Sequence, residues 1–113
     1  MLLITKPISI IKLQTIAKQS FGNLVKAVID LRKEIIVIDA DLHSDQEQYL
    51  LERGSKQYDL WGINLYPYKN RKEILEFDSM INVRPKEGNM SRSVEDESIR
   101  KKIVTIVNNL IAK

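Results

Sequence analysis

The hydrophobic pattern of the chain changes period several times. In SIIKLQTIAKQS (9–20), Ile10, Leu13, Ile16 and Ala17 recur at helical spacing, which predicts a first helix. Pro7 suits its entry, and Gly22 suits the left-handed position just past its end. In LVKAVIDL (24–31) the period becomes two. Val25, Ala27, Ile29 and Leu31 share one face while Lys26 and Asp30 fall on the other, as in a half-buried strand. Arg32-Lys33-Glu34 is a polar break, and IIVI (35–38) is apolar on both faces. Such a strand is central and covered on both sides, or paired at an interface.

Ser44 followed by Glu47 has the spacing of a capping box, and Gly54 can end a helix, so a second helix is predicted over 45–53. YDLWGINLY (58–66) predicts a third strand with Trp61, Ile63 and Leu65 on one face. Gly62 inside it marks a bulge or a close backbone approach. After Pro67 and a turn at 69–73, ILEFDSMINVR (74–84) predicts a fourth strand, with Leu75, Phe77, Ser79, Ile81 and Val83 on one face and Pro85 as its stop. The last helix, 94–112, carries the stripe Ile99, Ile103, Ile106, Val107 and Leu110. Glu95, Asp96 and Glu97 stand at its positive end and Lys113 at its negative end. The order α-β-β-α-β-β-α predicts one α+β domain over 1–113, a mainly antiparallel four-stranded sheet packed by helices.

Composition narrows the function classes. A chain of 113 residues can bury a core without staples, and 43% hydrophobic with 29% charged residues is ordinary for a globular domain. The absence of cysteine excludes disulfides, thiolate metal sites and cysteine nucleophiles, and it suits the reducing cytoplasm. MLLITKPISIIK is interrupted by Lys6 and Pro7, too early for a signal-peptide core or a span, so no membrane partner is expected. The net charge of +3 hides a segregation: residues 1–33 hold six Lys/Arg and one Asp, while 34–53 hold six acids and one Arg. A nucleic-acid binder gathers basic residues on one face. Here the charges separate only along the chain, and nucleic acid is not the expected partner.

Two stretches carry candidate chemistry. DADLHSDQE (39–47) holds four acids and the only histidine, His43. Asp39, Asp41 and His43 are two apart, so an extended chain points them to one side. His43 with Asp41 or Glu47 then forms a candidate acid/base pair or part of a metal site. An EF-hand is rejected because Gln46 stands where that loop needs glycine. With no second histidine, no metal and no cofactor is expected. The plainer reading is a strand-to-helix joint, with Ser44 as N-cap and Asp45 and Glu47 complementing the helix dipole. In RPKEGNMSRS (84–93), Arg84, Asn89, Ser91 and Arg92 form a candidate site for a small anionic ligand, phosphate or carboxylate, at the start of the last helix. Glu95, Asp96 and Glu97 oppose an anion there, and Ser93 serves as N-cap in the plainer reading. The aromatics Tyr58, Trp61, Tyr66 and Tyr68 fit core and rim packing better than base stacking. No P-loop, dinucleotide fingerprint, GxSxG or HExxH is present.

FGNLVKAVIDLRKEI, DLHSDQEQYLLERGSKQYDLWGINLYP and EFDSMINVRPKEGNMSRSVEDESIRKKI together resemble a family of small prokaryotic proteins catalogued as a domain of unknown function, DUF5674. The resemblance runs from about Lys6 to Leu110 and implies one compact domain. It brings no activity, cofactor or catalytic residue. The leading expectation is a cytoplasmic binding or interaction module that self-associates as a homo-oligomer, because strand 35–38 offers apolar groups to both sides. The alternatives are a small enzyme built on His43, and a weak anion or nucleic-acid binder using the 84–93 loop with the turn Lys69-Arg71-Lys72. Convergence of His43, Asp78, Asn82 and Arg92 in one pocket would favour the enzyme most.

Overall fold

The computed structural model describes residues 1–112; Lys113, expected to complement the end of the last helix, lies outside them. Its elements are β1 (Leu2–Ile4), β2 (Ile8–Ser9), α1 (Ile10–Gln19), β3 (Val25–Asp30), β4 (Ile35–Ile38), α2 (His43–Leu51), β5 (Leu60–Leu65), β6 (Leu75–Glu76), α3 (Glu97–Leu110) and β7 (Ile111–Ala112). Five strands form one antiparallel sheet in the order β1-β4-β3-β5-β6, and β2 and β7 make a separate parallel pair. The fold is α+β, with five strands in the main sheet where four are predicted.

The β3–β4 hairpin is set by Asp30. Its buried carboxylate accepts from the N–H groups of Arg32 and Lys33, both at 2.9 Å, and from the Ser55 hydroxyl at 2.6 Å. The aspartate thus closes the turn with its own side chain. Residues of alternating direction then fill two separate cores. Ala27, Ile29, Ile36, Ile38, Trp61 and Ile63 pack against Leu13 and Ala17 of α1 and Ile103, Ile106, Val107 and Leu110 of α3. Val28, Val37 and Leu60 point the other way, to Leu50 of α2 and to Ile81. The two apolar faces of β4 are therefore both covered by the chain's own layers, so the expected motive for self-association is met within one molecule.

Four local expectations are corrected. The sheet gains an edge strand, β1, with Leu2 opposite Ile38 and Ile4 opposite Ile36. The second helix begins at His43, capped by the backbone of Leu42 with no side-chain bond, so the Ser44–Glu47 capping box does not form. The last helix begins at Glu97, and its N-cap is Asp96 rather than Ser93: the Asp96 carboxylate accepts from Ser98 N–H at 2.8 Å and Ile99 N–H at 3.2 Å. The fourth strand reduces to β6, and Met80–Asn82 form a 3-10 turn instead. Phe77 packs into the α1/α3 core while Ile81 packs into the α2 core, so the chain crosses the edge of the sheet between them.

That crossing explains Gly62. A Cβ at Gly62 would lie 2.5 Å from Cβ of Ser79, so the 79–81 segment rests directly on β5. Without a paired strand beyond Asn64, the outer edge of β5 is satisfied by side chains. Asn82 bonds both main-chain groups of Gly62, and Arg84 Nη2 donates to the Leu60 carbonyl.

Candidate functional site

DADLHSDQE is where β4 turns into α2. Asp39 sits at φ 65, a left-handed conformation that aspartate tolerates better than most residues, and it swings the chain off the sheet. Asp39 and Asp41 are exposed, whereas His43, in the first turn of α2, is only 8% exposed. The three side chains therefore do not share one side. His43 Nε2 lies 2.7 Å from the Ile63 carbonyl oxygen. A carbonyl only accepts, so Nε2 carries the proton, and Nδ1 is the acceptor of the neutral ring. Burial pushes the His43 pKa below its ordinary value; the bond to Ile63 opposes this, Lys26 and Arg92 reinforce it, and Asp78 opposes it. One turn on, Gln46 Nε2 donates to the Lys26 carbonyl at 2.7 Å. Polar side chains thus pin α2 to main-chain oxygens of β3 and β5.

Among the described residues His43 makes no hydrogen bond or ion pair with Asp41 or Glu47. Glu47 lies half-buried; desolvation raises its pKa, and the charge of Arg84 works against the rise. No three His, Asp or Glu side chains among the described residues come together as a metal-holding group.

The 84–93 loop is held from within. Buried Arg84 donates from Nε to the Ile81 carbonyl at 3.0 Å, and its guanidinium lies 4.3 Å from the Trp61 ring centroid. Asn89, also buried, donates from Nδ2 to the carbonyls of Asn82 and Ser93, both at 2.7 Å, and accepts from Glu95 N–H at 2.9 Å. The N–H groups of Met90 and Ser91 donate to the Glu95 carboxylate at 3.0 and 2.7 Å. The loop's anion cradle is filled by the chain's own anion. Of Arg84, Asn89, Ser91 and Arg92, only Arg92 lines the pocket that holds His43.

That pocket, about 160 Å³, lies between the first turn of α2, β3 and the 79–81 turn. His43, Lys26, Ser44, Ser79 and Arg92 supply its polar lining, and Leu42, Met80 and Ile81 its apolar lining. Arg92 Nε also bonds Asp78 Oδ1 at 2.6 Å, which sets the guanidinium at the rim. Its carbonyl accepts from Ser79 N–H and Asn82 Nδ2, both at 3.0 Å. His43 and Arg92 meet, Asp78 stands beside them, and Asn82 lies behind as a support. Lys26 is the charged lining residue that the sequence does not single out, and Ser79 is one that no sequence spacing ties to His43. Gly62 was the available signal for Ser79, since a glycine inside a strand marks a close approach.

Over residues 2–110 the chain matches the family model described as Protein of unknown function (DUF5674), and it belongs to that family. No curated protein and no solved structure matches it. Among the described residues no helix is long and apolar enough to cross a membrane.

Proposed function

We propose that the protein is a small binding module whose ligand presents a compact anionic group, phosphate or carboxylate, to the His43 pocket. The observation that carries this reading is the meeting of Lys26 and Arg92, remote in sequence, at the first turn of a helix with no side-chain cap. The N–H groups of His43 and Ser44 have no partner among the described residues and stand at the positive end of α2. Two cations, two hydroxyls and free amides suit an anion. A volume of about 160 Å³ suits a headgroup rather than a whole cofactor. Neutral His43 adds an acceptor for a ligand hydroxyl. A catalytic extension, with His43 as general base, draws on the same convergence of His43, Arg92 and Asp78. The reading needs no second copy of the chain, and the cysteine-free composition suits action in the cytoplasm.

The test is a set of thermal melts with inorganic phosphate, against chloride at matched ionic strength. Wild type should gain stability with phosphate by mass action, and Arg92→Gln should lose most of that gain. Arg92 is more than half exposed, so the variant keeps the fold. An equal response in both proteins, or none in wild type, would remove the proposal.

A further inference from the structure

A second feature lies across the sheet from the His43 pocket. Between β6 and α3 two hollows, of about 390 and 550 Å³, share Phe77 and Val104 and form one trough. Its floor is apolar: Leu75, Phe77 and Val104, the last 40% exposed on α3. Its rims are cationic, with Arg71 and Lys72 at one end and Arg100 and Lys101 at the other, against a single acid, Glu97. One wall is an unpaired strand edge. β6 is the last strand of the sheet, and Tyr66 N–H donates to the Ile74 carbonyl at 2.7 Å. Ile74 and Glu76 thus face β5, and alternation turns the main-chain groups of Leu75 outward. The N–H of Phe77 has no partner among the described residues. At the rim, Arg71 gives Nη2 to the Ile111 carbonyl at 3.1 Å, while its Nη1 is buried without a partner.

We infer that this trough docks an extended segment of a partner protein in which acidic residues alternate with apolar ones, added to the sheet along β6. Strand addition supplies main-chain hydrogen bonds at Leu75 and Phe77, the floor takes alternate apolar side chains, and the rims take the acids. A nucleic acid fits less well. Its bases need a series of aromatic platforms, and the one ring here, Phe77, already carries the Arg100 guanidinium 4.4 Å from its centroid.

The test is selection of a random displayed peptide library on the wild type, with counter-selection on a Val104→Asp, Lys101→Glu double variant. Both residues are exposed, so the variant should melt as wild type does; Arg100→Gln alone serves if it does not. Enriched peptides should alternate acidic and apolar residues. A synthetic copy should bind the variant roughly tenfold or more weakly than the wild type, and should slow amide exchange at Leu75 and Phe77. No enrichment over the variant, or enriched peptides without acids, would overturn the inference. Stronger competition by single-stranded DNA would assign the trough to nucleic acid instead. A concentration-dependent mass of the protein alone, abolished in the variant, would assign it to a second copy.

Discussion

The side-chain amide of Asn82 pairs with both main-chain groups of Gly62: the Gly62 N–H donates to Oδ1 at 2.8 Å, and Nδ2 donates to the Gly62 carbonyl at 2.9 Å. One buried side chain thus does the work of a strand residue at the open edge of β5. Asn82→Ala would leave both Gly62 groups without partners and the Arg92 carbonyl with Ser79 N–H alone, a loss of at least about 2 kcal/mol. Asn82→Asp should be worse, because it sets a fully buried carboxylate oxygen against the Gly62 and Arg92 carbonyls. Urea unfolding measures both; a variant as stable as wild type would show that the edge is held by other means.

Gly62→Ala should destabilise by about 1–3 kcal/mol through overpacking against Ser79. Ser79→Gly in the same chain should return part of the loss. A double-mutant cycle with no coupling between the two positions would contradict the contact.

Ile103→Asp places a carboxylate where the native side chain has no solvent exposure. Loss of the folded state, or a cost of more than about 4 kcal/mol, is expected by thermal melting followed by circular dichroism. An unchanged melting temperature would mean that α3 turns another face to the sheet.

The two helix starts should respond oppositely to alanine. Ser44→Ala removes no hydrogen bond seen in the structure and should stay within about 0.5 kcal/mol of wild type. Asp96→Ala removes the acceptor for Ser98 N–H, Ser98 Oγ and Ile99 N–H, so its melting temperature should fall clearly. The reverse ranking would restore Ser44 as a cap.

The fold lowers the His43 pKa below 6.5, so the folded protein holds that proton less tightly than the unfolded chain does. The sign follows: this contribution to stability is complete above the unfolded value and is lost as pH falls through it toward the folded pKa. Unfolding free energies at about pH 7.5 and about pH 5 should therefore differ more in wild type than in His43→Gln. Equal differences would mean that the ring is not held neutral.

The parts legible from the chain are those whose periodicity and burial agree. Val25, Ala27 and Ile29 alternate because one layer buries them, and Ile103, Ile106 and Val107 share one helix face. Residues 74–83 alternate just as well, yet Phe77 and Ile81 enter different cores. Alternation records that a side chain is buried and not which layer buries it. β1 has three residues, too few to show a period. For the pocket, the lone histidine is visible, and local spacing offers Asp41 and Glu47 as its neighbours. Those actually beside it, Lys26, Ser79 and Arg92, come from β3 and from the chain that crosses the sheet edge, and no local spacing reports such a meeting.

The two cores are unequal. Among the described residues eighteen buried ones form the α1/α3 side and four the α2 side, where α2 contributes buried Leu50 with Tyr49 and Leu51 half-buried beside it. The bonds from His43 and Gln46 to β5 and β3 are ones that water can replace when the helix lifts. Opening of α2 therefore exposes little apolar surface and should be the lowest-energy partial unfolding of the molecule, with the amides of 46–51 exchanging well before those of 103–110. The wall that carries His43 belongs to this loosest unit. A bound anion bridging Lys26, Arg92 and the first turn of α2 would then be felt as slower exchange throughout that helix, far more than as any change in the rest of the sheet.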